Sequence, residues 1–383
     1  MSVVESGIGR GLPDRPAYAV LYSKQKANGR CLIYPARRRK VGLILTSLLT
    51  YLLVLTPGAV IWNRLPLPLA SPAIFAFKPF RDSGGAARSA PAAGGWFRVA
   101  VAADMRNFAG SGLNNTAQYF RGALQGLQAA GGADVLFVPG DLDPVSGVDW
   151  TVRDVLGAGF RWYPVVGNHE LPGAGSEATL GENMGFLRGF AVGPVNPGPA
   201  SCPTTTYSFD QQGVHFAVIN EYCDSGGDAA AFGNISDTLY AWLQADLSAS
   251  RAPLKFVIGH EPAFPQPDMD NGRIRHLGDS LDMFPADRDR FWKLLADRQV
   301  TAYLCGHTHD FSIVQFSGVW QIDAGHARGL GDTGSASTFL ILQISGGQVY
   351  FQAYRDDSAG GPYRLAHAGL LRTPMYLPLL IRP

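Results

Sequence analysis

Six side chains with metal-ligating chemistry stand at the ends of short apolar runs. Asp104 closes the run from Phe97 to Ala103, and Asp141 follows Asp134–Val138 through Pro139 and Gly140. Asn168 follows Trp162–Val166, His260 follows Leu254–Ile258, and His307 and His309 follow Ala302–Cys305. Two carboxylates, an amide oxygen and three imidazoles form an oxygen and nitrogen donor set without thiolates. Such a set suits Zn, Fe, Mn or similar ions. Two ions about 3.5–4 Å apart, sharing one carboxylate, would hold a hydroxide between them and polarise a phosphoryl oxygen.

The elements that must position these residues are legible in outline. Continuous apolar runs of this length read as strands buried on both faces. Each delivers its polar residue at the strand's C-terminal edge, where an α/β sheet places its ligand site. Helical spacing covers Thr116–Ala130, with Thr116 as cap, Ser236–Leu247, with Ser236 as cap, and Pro285–Arg298. Tyr207–Asp210 and His215–Ile219 read as a hairpin turning through Gly213, and Phe339–Tyr354 as another turning at Gly346-Gly347. Strands alternating with helices, then hairpins, predict an α/β sandwich.

The chain has 383 residues, 46% hydrophobic and 16% charged, which excludes a disordered or coiled-coil protein. A formal net charge of +1 gives no electrostatic case for a nucleic-acid partner. Residues 41–62 carry no charge and follow Arg37-Arg38-Arg39-Lys40. That pattern predicts a single-pass membrane anchor or uncleaved signal, with residues 1–40 cytoplasmic and everything after residue 62 extracytoplasmic. A cleaved signal at Leu69-Ala70-Ser71, giving a secreted or periplasmic protein, is the alternative. Residues 63–95 read as a Pro/Ala/Gly linker, 96–356 as the folded domain and 357–383 as a tail. Cys202 and Cys223 bracket the first hairpin, so a disulfide between them is expected on the oxidising side. It would contribute about 3 kcal/mol by loop closure. Cys31 is expected to stay reduced and Cys305 to be an inert core thiol.

Asp104, Gly140-Asp141, Gly167-Asn168-His169-Glu170, Gly259-His260 and Gly306-His307-Thr308-His309 resemble, in order, the motifs of the calcineurin-like metallophosphoesterases. The hairpin beginning Tyr207-Ser208-Phe209-Asp210 looks more like the purple acid phosphatase branch. The resemblance implies two β-sheets flanked by helices. It implies two metal ions bridged by Asp141, with Asn168, His260 and His307 completing one and Asp104 and His309 serving the other. It also implies His169 as an acid facing the leaving group, and hydrolysis of a phosphate ester by a metal-bound hydroxide. Monoesters, diesters and nucleotides fit the motifs alike.

Two positions depart from the family pattern. Arg106 stands where many relatives have the His of Asp-x-His, and Pro144 where purple acid phosphatases have a ligating Tyr. One ion thus loses a ligand. Arg106 is open to three readings: an inert surface residue, a contact to the substrate phosphate, or a stand-in for part of a missing cation. The phosphate contact is favoured. A domain of the same fold that binds or scaffolds without catalysis is the alternative function.

Overall fold

The computed structural model describes residues 95–171, 195–224, 232–329, 334–356 and 362–372. The runs read as buried strands are strands, and they assemble into two mixed sheets. The first runs from β13 (Arg364–Arg372) through β12 (Gln348–Arg355), β11 (Thr338–Ser345), β1 (Phe97–Val101) and β2 (Val135–Val138) to β3 (Trp162–Pro164). The second runs from β4 (Asn196–Pro197) through β5 (Tyr207–Gln211), β6 (Val214–Val218), β7 (Leu254–Ile258), β8 (Ala302–Cys305) and β10 (Val319–Ala324) to β9 (Phe311–Phe316). Parallel pairing of β1, β2 and β3, and of β6, β7 and β8, aligns their C-terminal ends on one edge of each sheet.

Side-chain alternation sorts the strands into layers. Val99, Val101, Phe137 and Tyr163 from sheet one meet Phe216, Phe256, Ile258 and Leu304 from sheet two in the central core. The intervening residues face outward and are buried again. Leu136, Val138 and Trp162 pack under α1 (Phe120–Ala129) and α2 (Val145–Leu156). Ala217, Val257 and Tyr303 pack under α3 (Asp237–Ala249) and α4 (Pro285–Asp297). The result is two sheets face to face with helices on both outer faces, as expected.

Local details agree in part. Ser236 caps α3, its Oγ accepting from Leu239 N at 3.2 Å. Gln212 and Gly213 both take positive φ, 53° and 75°, the conformation a tight two-residue hairpin turn requires. Thr116 does not cap α1, which starts four residues later behind Tyr119 with no side-chain cap. The Thr116 N-cap expectation therefore fails: the chain makes a turn first, with Tyr119 N bonded to Thr116 O. Past residue 356, where a tail was expected, β13 pairs with β12 as an edge strand. Its partly exposed side chains gave little periodicity to read. The Cys202–Cys223 disulfide is present with Cα atoms 5.9 Å apart, and Cys305 is a buried free thiol. Residues 41–62 and Cys31 lie outside the described residues, among which no helix is long and apolar enough to cross a membrane.

Sheet two carries a polar knot at the N-terminal end of β6. His215 on β6 places Nδ1 2.7 Å from Asp210 Oδ1 and Nε2 2.8 Å from Asp246 Oδ2. Burial opposes the charged ring, but a carboxylate on each nitrogen outweighs it and raises the pKa. A raised folded pKa contributes stability fully below the unfolded value of about 6.5 and loses it as pH rises through the folded value. His215→Gln should therefore cost most stability at pH 6, about 1.5–3 kcal/mol, with the melting temperature lowered most there. Its deficit against wild type should shrink toward pH 9. A deficit independent of pH in thermal melts would contradict this.

Candidate metal centre

The polar residues at the strand ends converge because the chain turns sharply as each strand stops. Asp104, Arg106, Asp141, His307 and His309 all have positive φ, between 42° and 72°. Side-chain residues adopt that region at a cost. Gly140, at φ 79°, precedes Asp141, and a Cβ there would lie 2.2 Å from His260 Nδ1. A Cβ on Gly306 would lie 2.3 Å from Asp104 Oδ2. These glycines let one strand-end loop pack against the side chains of the next.

Two buried glutamates tie the loops together. Glu170 accepts four backbone N–H groups, from Asp141 (2.9 Å), Gly167 (2.8 Å), Leu142 (2.8 Å) and Asp143 (3.1 Å). Burial and Asp141 push its pKa up, while the N–H donors favour the ionised form. Glu221 accepts from His260 N (3.0 Å) and Glu261 N (2.7 Å), and Tyr303 Oη donates to it. A third brace ties the start of β9 to sheet one. Arg355 on β12 pairs with Asp268, whose Oδ2 also accepts Phe311 N at 3.0 Å.

Within this frame all six predicted ligands come together. His260 Nδ1 lies 2.8 Å from the Pro139 carbonyl, which can only accept, so Nε2 carries a lone pair. That lone pair faces Asn168 Oδ1 at 3.1 Å, Asp141 Oδ1 at 3.5 Å and His307 Nδ1 at 3.1 Å. The two oxygen acceptors pointed at that lone pair need a cation between them, so this donor set fits a metal. Burial lowers the pKa of both imidazoles, keeping them neutral as ligands must be. Beside it, ligand atoms of Asp104, Asp141 and His309 lie within 4.8 Å of one another. Asp104 Oδ1 is buried without a hydrogen-bond partner. Burial first, then Asp141 and Asp323, push the Asp104 pKa well up.

His169 sits at the rim, about a third exposed (31%), with Nε2 3.7 Å from Asp141 Oδ2 and its backbone N–H on Asp141 Oδ1. Burial lowers its pKa, with Arg106, His260 and Arg328 acting the same way. Arg106 turns to Asp143, Nε to Oδ1 3.7 Å, and its backbone N–H bonds Asp141 O. Pro144 is the residue from which α2 starts.

Sequence reasoning missed four residues of this region. His276 and Asp279 bring ligand atoms within 4.8 Å of His307, whose Nε2 is buried and unpartnered. Arg275 and Arg328 approach the two ring nitrogens of His309. All four come from loops without apolar periodicity. The only available signal was a histidine and two arginines in polar stretches close behind Gly259-His260 and Gly306-His307. His326 is structural: Nε2 bonds Ser335 O at 3.0 Å and Nδ1 accepts Arg328 N at 3.3 Å.

Fold and donor set together define a metallophosphoesterase-type centre. The chain belongs to the calcineurin-like phosphoesterase family, whose model matches residues 97–311. Among solved structures it is similar to the purple acid phosphatase PPD1 from yellow lupin (Lupinus luteus) seeds, at 14% identity and a TM-score of 0.46. That match covers 72% of this chain and 53% of the lupin protein, so the chain spans about half of that relative. GAP50, the anchor in the inner membrane complex of Plasmodium, matches at 13% identity over 73% of this chain and 89% of its own, with TM-score 0.44. PhoD matches at 11% over 72% and 68%, with TM-score 0.45. At these identities the likeness reaches the fold alone. No curated protein matches the chain.

The Glu170 clamp yields a direct expectation. Glu170→Gln places an NH₂ group against backbone N–H donors that a carboxylate accepts. The variant should lose about 1–3 kcal/mol of stability. It should also retain less metal after dialysis, because the Asp141 and Asn168 loops separate. Wild-type melting and metal content would show that the clamp is unimportant.

Proposed function

We propose that the chain hydrolyses phosphate esters with metal held at the strand-end donor set, of which Asp141, Asn168, His260 and His307 form one half and Asp104 and His309 the other. The observation that carries this reading is the His260 Nε2 lone pair facing two oxygen acceptors, Asn168 Oδ1 and Asp141 Oδ1. A bound ion would supply Lewis-acid polarisation of the phosphoryl oxygen and an activated water. The protein supplies the rest. The Pro139 carbonyl and Glu221 fix the His260 ring and its loop. His169 reaches the rim, where a proton on Nε2 is available to the leaving oxygen. Its lowered pKa makes its imidazolium a stronger acid. Arg106, partly exposed at 27% and beside Asp143, is positioned to offer its fork of donors to a phosphate.

Three variants separate these roles. Asn168→Ala should lose metal and activity together. His169→Ala should keep its metal while turnover falls about 100-fold, the scale of a general acid. Arg106→Ala should keep metal and raise KM by about 10-fold or more, as for a lost charge-assisted contact. Assays on a model monoester and a model diester decide the outcome. A metal-loaded protein without turnover on either would favour the non-catalytic binding or scaffold role.

We also propose that the domain lies across a membrane from residues 1–40, anchored by residues 41–62. The Arg37–Lys40 cluster before that segment and the Cys202–Cys223 disulfide support an oxidising, extracytoplasmic location. Protease added to spheroplasts or right-side-out membrane vesicles should digest the domain. Full protection without permeabilisation would place it on the cytoplasmic side.

A further inference from the structure

Two guanidinium groups meet at His309. Arg275 Nη1 lies 2.5 Å from His309 Nδ1, and Arg328 Nη2 lies 3.4 Å from His309 Nε2. A guanidinium only donates, and a neutral imidazole offers one lone pair. The shorter contact claims that lone pair at Nδ1, so the ring proton resides on Nε2. There it faces Asp104 Oδ1 at 3.7 Å, the buried oxygen that otherwise has no hydrogen-bond partner. In this tautomer Nε2 has nothing to give a metal. Reversing the tautomer would set two N–H groups head to head at 2.5 Å.

Charge acts in the same direction. A zinc-like ion sits about 2.0–2.1 Å from a ligating nitrogen. An ion on His309 Nε2 would thus lie within about 5.5 Å of Arg328 Nη2, which repels it. Arg328 is not free to leave. It is 8% exposed, its Nε donates to the Asp104 carbonyl at 2.9 Å, and its backbone N–H is held by His326. Arg106 and Pro144 stand where the family resemblance would put further ligands, so neither restores what His309 withholds.

We propose that this chain holds one firmly bound transition-metal ion, on Asp141, Asn168, His260 and His307. Arg328, held against Asp104, replaces the second ion as the fixed positive charge there, while Arg275 occupies the lone pair of His309 Nδ1. The inference rests on the metallophosphoesterase reading, and metal counting separates the two. Purified full-length chain is loaded with Zn²⁺, dialysed against metal-free buffer and its metal content measured. Wild type should retain one equivalent. His309→Ala should keep it, and His260→Ala should lose it. Arg275→Gln combined with Arg328→Gln frees the ring and removes two charges. That variant should retain a second equivalent, which adding His309→Ala abolishes.

Two equivalents on wild type, or loss of the retained one in His309→Ala, would overturn the single-ion centre while leaving the metallophosphoesterase reading intact. No retained metal on wild type would overturn both. A folded double-arginine variant that gains nothing would overturn the role of the guanidinium groups. If circular dichroism shows that variant unfolded, the His309→Ala measurement still decides.

Discussion

Asp104 and Asp141 set two carboxylates side by side in the interior, and the residues around them act to offset that charge. Both side chains are almost wholly buried, and their ligand atoms lie within 4.8 Å of each other. Like charges at that separation repel by about 3.5 kcal/mol at an effective dielectric near 20. Burial adds to this, and together they drive the Asp104 pKa upward. The His307 N–H on Asp104 Oδ2 and the Arg328 guanidinium hold it back. Bound cations would complete the balance. Neutral imidazoles at His260 and His307 follow from the same environment, since burial disfavours their protonation. Low dielectric thus makes the carboxylates hungry for cations and leaves the histidines able to bind them.

Holding the pair together requires backbone strain, and the fold must supply the restraint. Five residues of the centre occupy positive φ, a region that disfavours side chains by about 1–2 kcal/mol per residue. Strain of that kind persists only where the surroundings over-determine it. Here the restraint is the inter-sheet core, where Phe137, Tyr163, Phe209, Phe216 and Phe256 form a chain of ring contacts across the two sheets. Glu170 then links the loops after β2 and β3 by four N–H bonds, and Arg355–Asp268 ties the start of β9 to sheet one. Rigid strands fix where each chain segment stops. The buried glutamates fix how neighbouring stops align.

This division explains what was legible beforehand. The strands could be read because burial on both faces demands uninterrupted apolar runs, as in Val135–Val138 and Ala302–Cys305. The donors could be read because each directly follows such a run. The Cys202–Cys223 pair and the Ser236 cap were readable because local chain geometry decides both. Thr116 misled because a capping residue is recognised by type, whereas here the intervening turn postpones the helix to Phe120. Arg275, His276, Asp279 and Arg328 were invisible for a different reason. Their loops have no period, and their neighbours in space are set by contacts with residues far along the chain. Arg328 Nε, for instance, reaches Asp104 O across 224 positions.

The two halves of the centre are held by opposite kinds of partner. On the His260 side the supports are acceptors: the Pro139 carbonyl takes the ring N–H, and Glu221 takes the backbone N–H. Acceptors on the far nitrogen raise a histidine's basicity and turn its lone pair toward the metal. On the His309 side the neighbours are guanidinium groups: Arg275 donates to the Nδ1 lone pair, and Arg328 stands 3.4 Å from Nε2 with its positive charge. Arg106, two residues after Asp104, adds a further cation to the motif that carries that carboxylate. These arginines come from three separate loops, so no single local rearrangement accounts for their agreement in charge. A guanidinium offsets a buried carboxylate without depending on metal supply; Arg328 does so for Asp104, while Arg106 pairs with Asp143. A single-ion centre of the kind proposed would retain an electrostatic partner for its substrate while needing only one ion to be captured.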